Sequence, residues 1–319
     1  MKYVAYINNG FAYDASVKPR QDVATILSKH GWEKLPIRMF GELAEQDLDI
    51  CLYLLHQGDT VLFQSPLYSS PNAERKYLDV FKVKGVKTIG LLHDVDVIRF
   101  GGDLQSYRKL INQYDGLIIA SQALADVVKP SVPYVIQKPW DYLTNANPLP
   151  HTLDKTIVYA GNLTEGKTAF LDSVDVDTYG ELYERKLKHY RGKFKAEDLP
   201  AHLDGSFGLV WDSNGYNDYL KYNWSYKFSL YLASGLPVIA KKGSNVGNFV
   251  DKYELGFTIA SLSELKKPEQ YAKYLKNVSE FTTKVRSGAF ILEAVNGIEN
   301  RIMSTTDQAV QVGVRSVID

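Results

Sequence analysis

In YNWSYKFSLYLASGLPVIAKKG, Tyr222–Gly243, a helix that packs Phe228, Tyr231 and Leu232 begins with Ser225, Tyr226 and Lys227. It ends at Gly235, Pro237 keeps it ended, and PVIA starts a buried strand. A lysine in the first turn opposes the helix dipole, which favours negative charge there. Either Lys227 points into water, or an anion sits at that helix end and cation and dipole hold it together. Ser225 can cap the helix, which leaves other N–H groups for a phosphate.

Two further stretches carry chemistry. GNLTEGKT, Gly161–Thr168, satisfies G-x-x-x-x-G-K-[ST] after a strand, so its N–H groups and Lys167 can face a phosphate. FGLVWD, ending at Asp212, can pass for the acidic strand of such a nucleotide triphosphatase. The following helix is too short for that assignment, because Asp172 and Ser173 lead at once into the next strand. A chance match in a glycine-rich turn, or a turn that still faces an anion, describes it better. In LLHDVDVIRF, Leu91–Phe100, His93 and Asp94 follow an apolar strand at its carboxyl end, where a general base is placed. The same pair can simply tie down a loop. Asp94–Asp96 has a spacing that can hold a metal, but Asp47–Asp49 and Asp175–Asp177 repeat it, so it carries no weight. H-E-x-x-H, G-x-S-x-G and G-x-G-x-x-G are absent, which argues against a zinc hydrolase, a serine esterase and a common dinucleotide enzyme.

These residues need elements to hold them. Short apolar runs alternate with helical patterns: strands over 2–9, 37–40, 60–64, 87–94, 116–121 and 134–138, helices over 21–30, 43–57, 72–84, 104–114 and 122–129. Continuous apolar strands separated by helices imply a parallel sheet covered on both faces. KPWDYLTNANPLPHTLDK, Lys138–Lys155, with its prolines and turn formers, is the expected linker. The alternation then resumes, with strands over 156–160, 174–179, 188–192, 207–212, 237–241 and 256–260 and closing helices over 264–277 and 285–303. The expectation is α/β: two doubly wound Rossmann-like domains facing across a cleft, residues 1–145 and 146–303, with a helix over about 304–319 able to pack back on the first. Ligands of open α/β sheets bind outside the carboxyl ends of the strands.

The 319 residues contain 37 Lys+Arg and 37 Asp+Glu, so no net field draws the chain to nucleic acid or an anionic membrane. Cys51 is the single cysteine, which excludes an internal disulfide and fits a reducing compartment. No apolar stretch reaches transmembrane length, so a cytoplasmic location is expected.

With this layout, W-S-Y-K-x-S-x-Y-L-A-x-G-x-P-V-I resembles the nucleotide-binding helix of GT-B glycosyltransferases. YINNG (6–10), GDTVLFQSP (58–66), LLHDV (91–95), KPWD (138–141), YAGN (159–162) and FGLVWD extend the resemblance to the glucosyltransferase 3-like, or nucleotide sugar synthetase-like, family. Its relatives include galactofuranosyltransferases. The resemblance implies transfer of a hexose from a UDP-sugar to a glycan or glycosylated-protein hydroxyl, in adhesin glycosylation or surface polysaccharide assembly. It implies inversion, no metal or other cofactor, and self-association. Lys167, Tyr190 and Lys227 match positions that bind the UDP moiety, and Gly161, Asn162, Ser225, Tyr226 and Ser229 complete the donor side. His93 or Asp94 would deprotonate the acceptor, while Asn8, Asn9, Gly10, Gln64 and Ser65 are acceptor-side candidates. Lys227→Ala is expected to abolish turnover with the fold intact. The alternatives are a non-catalytic glycan-binding or chaperone subunit and, third, a P-loop NTPase.

Overall fold

The structure, a computed structural model, describes residues 1–7, 17–69 and 72–315, with side chains to residue 304. The described residues form two compact units. The first comprises 1–7, 23–138 and 291 onward, the second 17–22 and 139–290.

In the first unit β1 (Lys2–Ile7), β2 (Glu33–Ile37), β4 (Thr60–Ser65), β6 (Lys87–Leu92), β7 (Gly116–Ile119) and β8 (Tyr134–Ile136) form one parallel sheet. Its order is β2-β1-β4-β6-β7-β8, so the winding reverses between β1 and β4. A two-residue ladder joins β3 (Phe40–Gly41) to β5 (Tyr68–Ser69). Part of α1 (Val17–Ser28), with α2 (Glu45–Leu54), α3 (Ala73–Val83), α4 (Asp96–Arg99), α5 (Leu104–Ile111) and α6 (Gln122–Val128), accompanies the sheet. Tyr77 and Phe81 of α3 stack at 6.2 Å and both meet Phe63 of β4, which seals one face. The expected strand 37–40 divides instead into the end of β2 and the short β3.

The second unit repeats the plan with β9 (Ile157–Ala160), β10 (Val176–Tyr179), β11 (Tyr190–Gly192), β12 (Gly208–Val210), β13 (Val238–Lys241) and β14 (Gly256–Ile259). All are parallel, in the order β11-β10-β9-β12-β13-β14, so the switch point lies between β9 and β12. Its helices are α7 (Glu165–Thr168), α8 (Asn214–Tyr219), α9 (Tyr226–Ala233), α10 (Asn245–Tyr253) and α11 (Tyr271–Ser287); α12 (Ala289–Arg315) carries the chain back into the first unit. There Ile298 and Ile302 lie against Gly116 of β7, where a Cβ would come within 2.9 Å of both. The closing helices break at Gly288, which takes a positive φ of 83°, and not in the expected gap after residue 277.

The 138–155 stretch is no solvated tether. Its Pro139–Lys155 portion is extended and packed on the second unit: the Trp140 indole N–H donates to the Trp224 carbonyl at 3.1 Å, and the Tyr142 N–H to that of Val285 at 2.7 Å. Trp140 and Tyr142 are buried, which explains aromatic residues inside a proline-rich run.

Helix α9 is held at both ends of its buried face. Tyr231 is fully buried, its hydroxyl donating to the Leu209 carbonyl at 3.2 Å and accepting from the Ala160 N–H at 2.9 Å. Its ring lies flat on the backbone of β12, where a Cβ at Gly208 would sit 2.2 Å from the ring. At the carboxyl end Leu236 N–H bonds to Tyr231 O and Gly235 N–H to Leu232 O, the paired bonds of a Schellman cap with glycine left-handed at φ 72°. We expect Gly208→Ala to cost about 1–3 kcal/mol through overpacking, read by urea unfolding; unchanged stability would mean that α9 does not depend on this close approach.

Candidate active site

The carboxyl edge of the second sheet is built from backbone. A Cβ at Gly180 would lie 1.9 Å from the Gly161 carbonyl oxygen, and Gly161 N–H donates to Tyr179 O at 3.0 Å. Only glycine permits these two chain turns, with φ of 141° and 151°, to touch. Tyr190 at the start of β11 donates its hydroxyl to Gly180 O at 3.0 Å. Tyr190, Gly180 and Gly161 therefore form one ledge.

Against that ledge lies Lys227. Its stem passes Gly161, where a Cβ would stand 3.4 Å from Cδ. Its ammonium donates to Asp212 Oδ1 at 2.9 Å and to the Tyr159 hydroxyl at 3.0 Å, and lies 4.8 Å from the Tyr159 ring centroid. The Tyr159 hydroxyl in turn donates to the same carboxylate oxygen at 3.2 Å. Burial, and next the Asp212 charge, pushes the Tyr159 phenol well above its usual range, so it remains a neutral donor. The Lys227 and Asp212 side chains are 11% and 6% exposed. An ammonium has three donors; among the described residues Lys227 uses two. Tyr159 ends β9 and Asp212 follows β12, so the cation stands at the switch point. Neither was an expected site residue, although a single acid closing the apolar run FGLVW was the signal for Asp212.

The remaining donor-side candidates divide. Ser225 occupies the N-cap position of α9, but its hydroxyl makes no capping bond, so the side chain does not serve as expected. Tyr226 turns its hydroxyl to Asp22 Oδ2 at 2.7 Å. Ser229 is fully buried, and its hydroxyl has no partner among the described residues; it does not face solvent as a ligand contact would. Asn162 is exposed and accepts from Thr164 N–H at 2.9 Å. Lys167 sits on the single turn of α7 with its ammonium 5.6 Å from the Tyr216 ring centroid. Bonds from Ser213 N–H to Lys167 O at 2.7 Å and Asn214 Nδ2 to Gly166 O at 2.9 Å stitch the loops after β9 and β12 together.

GNLTEGKT is not arranged as a triphosphate cradle. Thr168, whose hydroxyl would hold magnesium in that motif, is fully buried; it donates to Thr164 O at 2.9 Å and accepts from Arg185 Nη1 at 2.6 Å. Arg185 also reaches Leu163 O and Asp172, so a guanidinium from the next loop fastens the turn. Four of the six aspartates in the Asp-x-Asp pairs face basic side chains: Asp47 with Arg38, Asp94 with Arg99, Asp175 with Lys188, Asp177 with Arg191. Among the described residues no three His, Cys, Asp or Glu side chains gather as a metal site.

In the first unit His93 follows β6 and is buried. Its Nε2 lies 2.9 Å from Gln64 Oε1, while Gln64 Nε2 donates to Ala5 O at 2.8 Å. The carbonyl of the amide therefore faces the ring, and Nε2 carries a proton. Gln64, expected on the acceptor side, instead orients His93. Ser65, expected there too, is buried and donates to Glu74 at 2.8 and 3.0 Å; Tyr114 donates to the same acid at 2.9 Å. Asp94 is partly exposed, 3.8 Å from Arg99. Asn8, Asn9 and Gly10 lie outside the described residues.

Two doubly wound parallel sheets of this kind make up the GT-B fold. The structure of Anabaena HepE in complex with UDP has this fold too, with a TM-score of 0.54 at 12% identity over 99% of this chain and 100% of that one. Sequence profiles of the N-terminal and C-terminal domains of the glucosyltransferase 3-like family match residues 1–137 and 157–298, and the chain belongs to that family. It is similar to glucosyltransferase 3 of Streptococcus parasanguinis, 24% identical over 315 residues, 90% of this chain and 94% of the relative. It is also similar to the beta-1,6-galactofuranosyltransferase WbbI of Escherichia coli (strain K12), 26% identical over 325 residues, 89% and 94% respectively.

The pairing changes what truncating the lysine does. Lys227→Met alone leaves Asp212 buried and uncompensated and is expected to cost about 3–5 kcal/mol in urea unfolding. Adding Asp212→Asn should recover most of that loss. A single variant as stable as the parent would show that the pair is not desolvated, and the expectation of an intact fold would stand.

Proposed function

We propose that this glycosyltransferase moves a hexosyl group from a UDP-sugar to a glycan hydroxyl. The observation that carries the reading is the Lys227 ammonium, fixed by Asp212 and Tyr159 at the end of α9 whose N-cap side chain makes no capping bond. A developing diphosphate there would meet one charge-assisted donor and first-turn N–H groups together. Tyr190, its hydroxyl engaged with Gly180, offers its ring to the base or ribose.

The acceptor hydroxyl attacks the anomeric carbon as His93 takes its proton. The carbon–oxygen bond to UDP breaks, and the leaving electrons settle on the β-phosphate beside Lys227. His93 is preferred to Asp94 because Gln64 fixes its tautomer, whereas Asp94 faces Arg99. A single displacement inverts the anomeric centre. The charge on the leaving group is met by protein donors, so the reaction is proposed to need no metal. The names of the similar proteins support a glucosyl or galactofuranosyl donor; a role in protein glycosylation or surface polysaccharide assembly is part of the proposal. Such a role fits a cytoplasmic protein with a reduced Cys51, and self-association is part of the proposal.

The test is UDP release from UDP-glucose and UDP-galactofuranose in EDTA. The parent should turn over at least one of them. Lys227→Met with Asp212→Asn should lower kcat by about 100- to 1000-fold, and His93→Ala by about 100- to 10,000-fold. Turnover that survives loss of Lys227 would refute the site.

A further inference from the structure

The first turn of α9 lacks every usual local support. It contains no acidic residue, Ser225 makes no capping bond, and Lys227 has the wrong sign for the dipole. Such a turn should fray, yet the lysine must stay within hydrogen-bond reach of Asp212. The support comes from the residue immediately before it. The Tyr226 hydroxyl donates to Asp22 Oδ2 at 2.7 Å, and its ring stacks on Tyr142 at 5.1 Å between centroids.

Asp22 is itself immobilised. It is 7% exposed and receives Lys18 Nζ on both oxygens at 3.0 and 2.9 Å, and the Leu143 N–H on Oδ2 at 2.9 Å. Lys18, 9% exposed, also donates to Leu143 O at 2.7 Å and lies 4.4 Å from the Tyr142 ring centroid. A buried carboxylate 204 positions away, the buried ammonium paired with it and the stacked Tyr142 ring thus converge on one residue of α9.

We propose that Tyr226 and Asp22 are positioning residues for Lys227: the Tyr226–Asp22 bond clamps the open turn, so that its N–H groups and the ammonium stay aligned on a diphosphate. This rests on the donor-site reading above. It answers why the helix begins Ser-Tyr-Lys: the tyrosine anchors the turn and the lysine meets the ligand. Removing the tyrosine hydroxyl keeps the stacked ring and the Lys18–Asp22 pair but frees the turn.

The experiment is calorimetric titration with UDP of four proteins: the parent, Tyr226→Phe, Tyr271→Phe, and the double variant Lys227→Met with Asp212→Asn. Loss of a hydrogen bond to an ionised partner should weaken UDP binding about tenfold in Tyr226→Phe. Tyr271 is the structural control: it is buried in the same unit and donates to Ser206 O at 3.0 Å, ahead of the amino end of β12. Its variant should lose comparable thermal stability and keep the parent affinity. Amide exchange at Lys227 and Phe228 should quicken in Tyr226→Phe and not in Tyr271→Phe. Parent-like affinity and exchange in Tyr226→Phe, with binding lost in the double variant, would overturn the positioning role alone. Unchanged affinity in the double variant would overturn the donor site, and the proposal with it.

Discussion

The ion pair between Lys227 and Asp212 is the constraint on which the rest of the donor side depends. An ammonium and a carboxylate this far from water are tolerated only when their remaining donors and acceptors are matched, and Tyr159 supplies the match from the neighbouring strand. The pair needs β9 and β12 adjacent, and the sheet order makes them so at the reversal of winding. It needs α9 close to the sheet, and Gly208 allows the Tyr231 ring to rest on the strand backbone. It needs the lysine stem to run past the end of β9, and Gly161 leaves the space. In the proposed transfer a cation so held is pre-oriented, and little reorganisation would remain as negative charge develops beside it.

The first unit fixes a histidine by similar means. Gln64 donates from its amide nitrogen to the Ala5 carbonyl and turns its oxygen to His93 Nε2, which holds the ring where the chain leaves β6. Beneath it, Ser65 and Tyr114 donate to the buried Glu74. Polar residues at the carboxyl ends of β4 and β6 thus bond to each other, to the backbone of β1 and to Glu74 of α3, which fixes geometry where the chain leaves the sheet.

Much of the fold was legible because parallel strands buried on both faces announce themselves as continuous apolar runs: TVLFQ, GLIIAS and TIVYA all coincide with strands. The helix Asn245–Tyr253 was missed, since its amphipathic pattern is short and its Ser244 cap looks like any turn serine. The break between the last helices lies at Gly288 and not after residue 277, and Thr282 bonds to carbonyls at Leu232 and Val278 inside a continuous helix. At the site, Lys227 was legible because it violates a local rule. The bonds of Asp212, Gln64 and Asp22 were not, because their partners lie 15, 29 and 204 residues away, even though Gln64 is named as an acceptor-side candidate. Ser65 and Ser229 show the converse: a hydroxyl at a strand or helix end signals a ligand contact only when it faces outward, and spacing alone does not report burial.

The measurement that bears most directly on the account is a crystal structure with UDP bound in EDTA. The account predicts the β-phosphate within hydrogen-bond distance of Lys227 Nζ and the first N–H groups of α9, with Asp212 still paired to the lysine. A diphosphate seated instead on the Thr164–Thr168 turn, with Lys227 untouched, would contradict it.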